Sequence, residues 1–406
     1  MCWLGAAKPM SDEILPIAAA DSTKGTPMYQ RWSPEKANQW YNSRSWMVGC
    51  NYIPSTASNQ LEMWQAQTFD PQRIDVELRW AQSLGFNSVR VFLHDLVWEE
   101  DAAGYVERID NFLCIASKHH IDTLFVIFDS CWNPAPHLGP QDPPLYGLHN
   151  SRWVQSPGSE AWVDSHSYPR LQAYVTSLIA SFRDDPRIIG WDLWNEPDND
   201  NASSYPELEA ANKLAIVNRL VPKVFDWARA AQPTQPLTSA VWFGDWAPSC
   251  LTPIQRTQLE RSDVISFHNY ENLEKLRKRI PLLRPHGRPL LCTEYMARTF
   301  ESTFQNILPF LKSEKIAAFN WGFVDGKTQT RFPWTSWQVP PREGHEGGWF
   351  HDILHSDGRP YREDEVETIR QLTKGLSRPT HHTSKARPPV NPTVESPVAT
   401  SPHNPR

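Results

Sequence analysis

Eight short apolar segments, each followed by a stretch of helical periodicity, constrain what this chain can fold into more than any other feature. They lie at 46–52, 88–93, 123–128, 188–194, 237–243, 263–268, 289–294 and 316–321. Near-continuous apolar strands separated by helices pair in parallel and need cover on both faces. Eight such units without a glycine-rich phosphate turn predict a closed (β/α)8 TIM barrel with a single catalytic domain, rather than an open doubly wound sheet. The helices carry matching signals. Asp70-Pro71 opens one in which Ile74, Leu78, Ala81 and Leu84 recur at helical spacing before Gly85. A second runs from about Tyr168 to Arg183, and a third from about Glu209 to Ala231 with Pro222 as a kink. Ser33-Pro34-Glu35 reads as a cap and first turn of a short helix through Tyr41.

At 406 residues with 40% hydrophobic side chains, the chain is long enough for one such barrel and its core. We expect a flexible segment over 1–30, the barrel over 31–376 and a disordered tail over 377–406, rich in Pro, Ser, Thr and His. The pair His381-His382 belongs to that tail composition rather than to a metal site. A net charge of −6 argues against nucleic acid, and the basic run from Lys275 to Arg288, interleaved with Leu276 and Ile280, reads as the solvated face of an outer helix. No apolar run is long enough to span a membrane, no leader pattern precedes the helical start, and no CxxC pair suggests a metal or redox centre. Cys50 and Cys292 read as buried core thiols. We expect a monomer with no cofactor.

Chemistry concentrates at the strand ends. The fourth segment ends Trp194-Asn195-Glu196-Pro197 and the seventh ends Thr293-Glu294-Tyr295. Strands 4 and 7 lie nearly opposite in a barrel of eight, so the two carboxylates face each other. Such a pair suits glycoside cleavage, where one acid donates a proton and the other attacks or activates water. Arg90, inside strand 2, needs an anionic partner, and Glu294 is the obvious one. Strand 6 places His268 and Tyr270 at the same end, and strand 8 adds Trp321 as a platform. The long segment 129–168 after strand 3 should overhang this face. Among nineteen tryptophans, Trp132, Trp153, Trp162, Trp246, Trp334 and Trp337 fall outside the strands, which suggests that several line a groove for sugar rings.

On Arg90, Asn195-Glu196-Pro197, His268-x-Tyr270, Glu294 and Trp321, over about 46–325, the sequence resembles the retaining glycoside hydrolases of clan A, especially family 5. From Gly49 through Asp352 it also looks like a bacterial subgroup often labelled cellulase-family hydrolase or 1,4-β-xylanase. The resemblance implies double displacement on a β-linked poly- or oligosaccharide, with Glu196 as acid/base and Glu294 as nucleophile. It implies that Asn195 binds the sugar 2-hydroxyl and that Arg90 and Tyr270 hold Glu294 ionised. It also implies that His268 contacts Glu196 or the sugar, and that Trp321 floors the subsite of the cleaved sugar. Asn51 joins the substrate-binding set. Relatives of this type are usually exported. Many family members carry a histidine near the end of strand 3, where this chain reads Phe128-Asp129-Ser130-Cys131-Trp132. Asp129 and Trp132 are then expected to supply sugar contacts, with His94 and His137 as further candidates. The alternatives are a carbohydrate-binding barrel without activity, a transglycosylase using the same residues, or a metal-dependent hydrolase.

Overall fold

The computed structural model describes residues 30–344 and 347–376. Apart from Gln30, the segment 1–30, the tail 377–406, Cys2 and the His381-His382 pair lie outside the described residues. Eight parallel strands form, each within two residues of its predicted start: β1 Val48–Asn51, β2 Ser88–Phe92, β3 Asp122–Asp129, β4 Ile188–Asn195, β5 Leu237–Thr238, β6 Ile265–Asn269, β7 Leu290–Tyr295 and β8 Ala317–Asn320. Their order is β5-β4-β3-β2-β1-β8-β7-β6. A parallel bridge between Val241 and Phe267 brings the two edges together, so the sheet closes as a (β/α)8 barrel. The fifth segment is shorter than its apolar run predicts, because past Thr238 its backbone pairs with β6 only at that bridge.

The outer helices form where periodicity and capping coincide. In the helix Pro71–Leu84, Asp70 accepts from the Arg73 amide and Ile74, Leu78, Ala81 and Leu84 are all buried. Gly85 ends it at φ 87°, a conformation that favours glycine. The helix Tyr168–Phe182 buries Leu171, Tyr174, Val175, Leu178, Ile179 and Phe182 against the sheet. Each large side chain removed from water in this way contributes roughly 1.5–3 kcal/mol. The third helix begins at Lys213 rather than Glu209, and Pro222 lies inside it. Glu209 stays in the preceding loop, where Lys213, Asn201 and Gln155 all donate to its carboxylate. The basic run does form an outer helix, Leu273–Leu283, with Lys275 and Lys278 paired to Glu271 and Glu274 on its exposed face.

Near the strand starts, Leu124, Ile189, Val264, Leu291 and Phe319 pack inside the barrel with Met47, Trp32 and Ala37. The short helix Pro34–Asn42, capped by Ser33 as its sequence implies, thereby seals that end. Among the described residues no helix is long and apolar enough to cross a membrane. The interior leaves little slack between β1 and β2, where a Cβ on Gly49 would sit 1.6 Å from the Ser88 carbonyl oxygen. Gly49→Ala is therefore expected to destabilise the barrel by on the order of 3 kcal/mol, the upper range for overpacking. A thermal melt checks this, and an unchanged Tm would mean that the two strands have room to part.

Candidate active site

Two local irregularities aim the strand-end residues. Glu196, the first residue after β4, has φ 41°, a strained conformation for a non-glycine residue, costing about 1–3 kcal/mol. Between β6 and β7 the register shifts at Phe267/His268, so that His268 pairs with Glu294 instead of Thr293. A bulge of this kind re-aims a side chain without ending the strand. Together they bring His268 Nδ1 to 2.7 Å from Glu196 Oε1 and 3.5 Å from Glu294 Oε2. One carboxylate oxygen from each glutamate and one imidazole nitrogen lie within 4.8 Å of one another.

Arg90 is fully buried beneath this group. Its Nη1 donates to Glu294 Oε1 at 2.7 Å and Asn51 Oδ1 at 2.8 Å. Its Nη2 donates to Asn195 Oδ1 at 2.7 Å and, together with Nε, to Asp192 Oδ2 at 2.8 and 3.1 Å. The expected partner Glu294 is therefore present, and Asp192 is a second one that sequence reasoning missed. Its signal was available, since an acid between Trp191 and Leu193 in an apolar strand needs a cation as much as Arg90 needs an anion. Tyr270 Oη donates to Glu294 Oε2 at 2.7 Å, completing the nucleophile candidate's surroundings.

Several expected sugar contacts take other places. Asp129 is buried and accepts from Asn195 Nδ2, the Cys131 amide, Trp153 Nε1 and Gln60 Nε2. Its oxygens are occupied by the protein, so it orients Asn195 instead of meeting substrate. Asn51 donates to the Thr293 and Asn320 carbonyls and accepts from Arg90, which makes it a support for the guanidinium and not a wall of the cleft. Arg90 likewise reaches carboxylates and amides, not the cleft. His94 is buried and caps the helix Asp95–Glu100, while His137 is exposed beside the Leu138 carbonyl. After β3, the residue that reaches the acid pair is Cys131. Its thiol lies 3.3 Å from Glu196 Oε2, which also accepts from Asn199 Nδ2 at 2.8 Å. Neither Cys131 nor Asn199 stood out in the sequence.

Above these groups opens a cleft of about 340 Å³ that includes Glu196, Glu294, Asn195, Tyr270, Trp321, Trp132, Trp242 and Trp334. Of the six loop tryptophans, Trp132 and Trp334 line it directly. Trp337 stacks behind Trp132 at 5.8 Å and Trp153 packs against Trp321 at 5.6 Å. Trp162 and Trp246 are core residues instead, both essentially inaccessible. Trp242, inside the predicted fifth strand, faces the cleft because that strand stops early.

Burial is the largest influence on both glutamates and pushes each carboxyl up. At Glu294 this is opposed by His268 only when its ring carries a proton, and in either state by the Arg90 cation and the Tyr270 hydroxyl; Glu196 is opposed mainly by the amide of Asn199 and the thiol of Cys131. Only Glu294 touches a cation directly, which favours the charged form there more than at Glu196. Burial lowers His268 to about 4, leaving a neutral imidazole between them. Glu196, His268 and Glu294 have the ligand types to hold a metal ion. However, Arg90 already neutralises one of the two carboxylates, which lowers the pull on a second cation.

No family model matches the chain, and no curated protein sequence matches it. Solved structures do. A GH5_18 point variant from Streptomyces cattleya, in complex with Manb1-4GlcNAc, superposes with a TM-score of 0.56 at 16% identity, over 82% of this chain and 82% of that one. The fold is that of the family 5 glycoside hydrolases. The exo-beta-1,4-mannosidase Op5Man5 from Opitutaceae bacterium strain TAV5 gives 0.54 at 20% identity, over 81% of this chain and 60% of that one. An endo-beta-1,4-mannanase from Thermotoga petrophila gives 0.53 at 13%, over 82% and 77%.

Arg90→Lys should abolish the shared fork, since one ammonium cannot serve two carboxylates and two amide oxygens. Leaving buried charges unpaired costs on the order of 3–5 kcal/mol, so the expected result is a lower urea midpoint for unfolding.

Behind Trp321, the buried Asp352 accepts from Thr330 Oγ1 at 2.7 Å, while its Oδ2 has no hydrogen-bond partner among the described residues. Burial raises this carboxyl to about 7. Stability from a raised carboxyl is complete below the unfolded value near 4 and is lost as pH rises through about 7; here that amounts to on the order of 4 kcal/mol. Asp352→Asn, neutral throughout, should therefore raise the Tm at pH 8 and leave it nearly unchanged at pH 4. Equal effects at both pH values would show that Asp352 is not protonated on folding.

Proposed function

We propose that the protein is a glycoside hydrolase that cleaves β-glycosidic bonds with retention of configuration. The observation that carries this reading is the carboxylate pair, with one oxygen of each within 4.8 Å and one member clamped by Arg90 and Tyr270. Retaining enzymes hold their carboxyls about 5–5.5 Å apart, whereas inverting ones leave about 6.5–9.5 Å for a water molecule. An inactive carbohydrate-binding barrel would have no need of this complete set.

In the first step Glu294 attacks the anomeric carbon and the bond to the leaving oxygen breaks. Glu196 gives its proton to that oxygen, so the aglycone leaves neutral. In the second step Glu196, now ionised, takes a proton from water, and the water oxygen attacks the anomeric carbon and expels Glu294. The neutral His268 beside Glu196 Oε1 and the donors Asn199 and Cys131 on Oε2 hold that carboxyl through both changes of charge. Asn195 is fixed by Arg90 on its oxygen and by Asp129 on its nitrogen, whose other hydrogen meets the Cys131 sulfur at 3.4 Å, a weak acceptor that the sugar 2-hydroxyl can replace. Trp321 floors the subsite. Two of the structural neighbours above are named for β-1,4-mannosidase or mannanase activity and the third holds Manb1-4GlcNAc, so β-mannosides are the first substrates to test.

Glu294→Ala should reduce turnover of aryl β-glycosides to background while circular dichroism still shows the folded barrel, and it should lower the melting temperature because Arg90 loses one of its two buried anions. Glu196→Gln should lower kcat by about 10²–10⁴ on poor leaving groups and far less on dinitrophenyl glycosides, which need no proton. It should also remove the alkaline limb of the pH–rate profile, because that limb reports loss of the Glu196 proton. Full activity of Glu294→Ala, or inverted product by NMR, overturns the mechanism.

A further inference from the structure

We infer that the site is a pocket closed at one end, which takes the non-reducing terminal sugar of a β-linked chain and releases one sugar per turnover. This inference rests on the function proposed above. An enzyme that cuts within a chain needs a cleft open on both sides of the scissile bond, and here one side is built shut.

The closure comes from loops that follow β3, β4 and β8. The β3 loop and the β8 loop are tied at His149, whose amide donates to Ser336 Oγ at 3.0 Å, whose Nδ1 lies 2.8 Å from the Phe332 carbonyl, and whose own carbonyl accepts from Trp337 at 2.8 Å. They are tied again where the Asn150 amide meets the Thr328 carbonyl at 2.8 Å and where Gln329 bonds both the Gly147 amide and the Leu145 carbonyl. The β4 loop joins through Tyr205, whose ring meets Trp337 at 5.1 Å and whose hydroxyl donates to the Ser151 carbonyl. Many of these partners are backbone groups, so ring contacts and hydrogen bonds together make a fixed wall.

The floor closes in the same direction. Trp321 is backed by Phe92 at 5.7 Å and Trp153 at 5.6 Å, and these two rings touch each other at 5.2 Å. Their packing leaves Trp321 backed by rings instead of by open space. On the β5 side, in contrast, the half-buried Trp242 lines the cleft beside the exposed Phe243, with its indole donating to Asp198 at 2.7 Å. Asp198 is two residues from Glu196, the proton donor to the leaving oxygen. The open side is therefore the aglycone side, and Trp242 is the platform for the first sugar of the leaving group.

The test uses wild-type protein and tetra- to hexasaccharides of the β-1,4-linked manno-, gluco- and xylo-series, labelled at the reducing end and sampled at early times. The expected products are free monosaccharide and a labelled chain shortened by one unit. Labelled fragments from internal cuts among the first products overturn the closed pocket while leaving the proposed chemistry intact. Failure of the folded protein to cleave any oligosaccharide or aryl β-glycoside overturns the proposed function and this inference with it. Trp242→Ala should lower kcat/KM on oligosaccharides about tenfold, the scale of one aromatic stacking contact, with an unchanged melting temperature. Undiminished kcat/KM in that variant overturns the assignment of the open side.

Discussion

The fork of Arg90 is the interaction on which the rest of the site depends. A fully buried guanidinium is costly to desolvate, and one carboxylate alone would compensate poorly. Here five donor contacts run to Glu294, Asp192, Asn51 and Asn195, which come from β7, β4 and β1. The planar, rigid fork fixes distances between strands that are not neighbours in the sheet. It sets where Glu294 sits, and through Asn195 it fixes the residue immediately before Glu196. A hydrophobic core tolerates small repacking; this arrangement does not, because each displaced acceptor leaves a buried charge less well compensated.

The two acids are distinguished by what surrounds them, not by their chemical type. Both are buried, and burial alone would protonate both. Arg90 and Tyr270 hold Glu294, whereas Glu196 meets only neutral groups: an imidazole, an amide and a thiol. Like charges this close disfavour one another, and the cation beside Glu294 favours charge there over Glu196. The strained φ at Glu196 and the bulge beside Glu294 belong to the same design. Each moves a carboxyl out of simple strand alternation toward its neighbour, at a local cost that the packed barrel can sustain.

The barrel was legible because its signals are local. Apolar runs, Asp70-Pro71 and Ser33-Pro34 caps, and the Gly85 stop all depend on residues close in sequence. The strand-end residues Glu196, Glu294, His268, Tyr270 and Trp321 were legible once the strands were counted. What remained hidden depends on pairing across strands. Asp129 looked like a sugar ligand because its four donors lie at Gln60, Cys131, Trp153 and Asn195, positions that no local pattern connects. Trp162 and Trp246 looked like groove residues because their loops fold back into the core. The segment of Cys131 stood out only as lacking a histidine, and the thiol's own meaning lies in its contact with Glu196, 65 residues further along the chain.

The division between chemistry and specificity follows from this arrangement. The acids and their supports sit on strand ends, held by a sheet in which every strand is buried. The walls come from loops after β3, β4 and β8, which touch one another more than they touch the acids. A change at Ser336 or Gln329 would therefore reshape the closed end while leaving the Arg90 fork untouched. A change at Asp192 would do the opposite. On the proposed function, the barrel sets which bond can break and the stitched loops set how far along a chain that bond can lie.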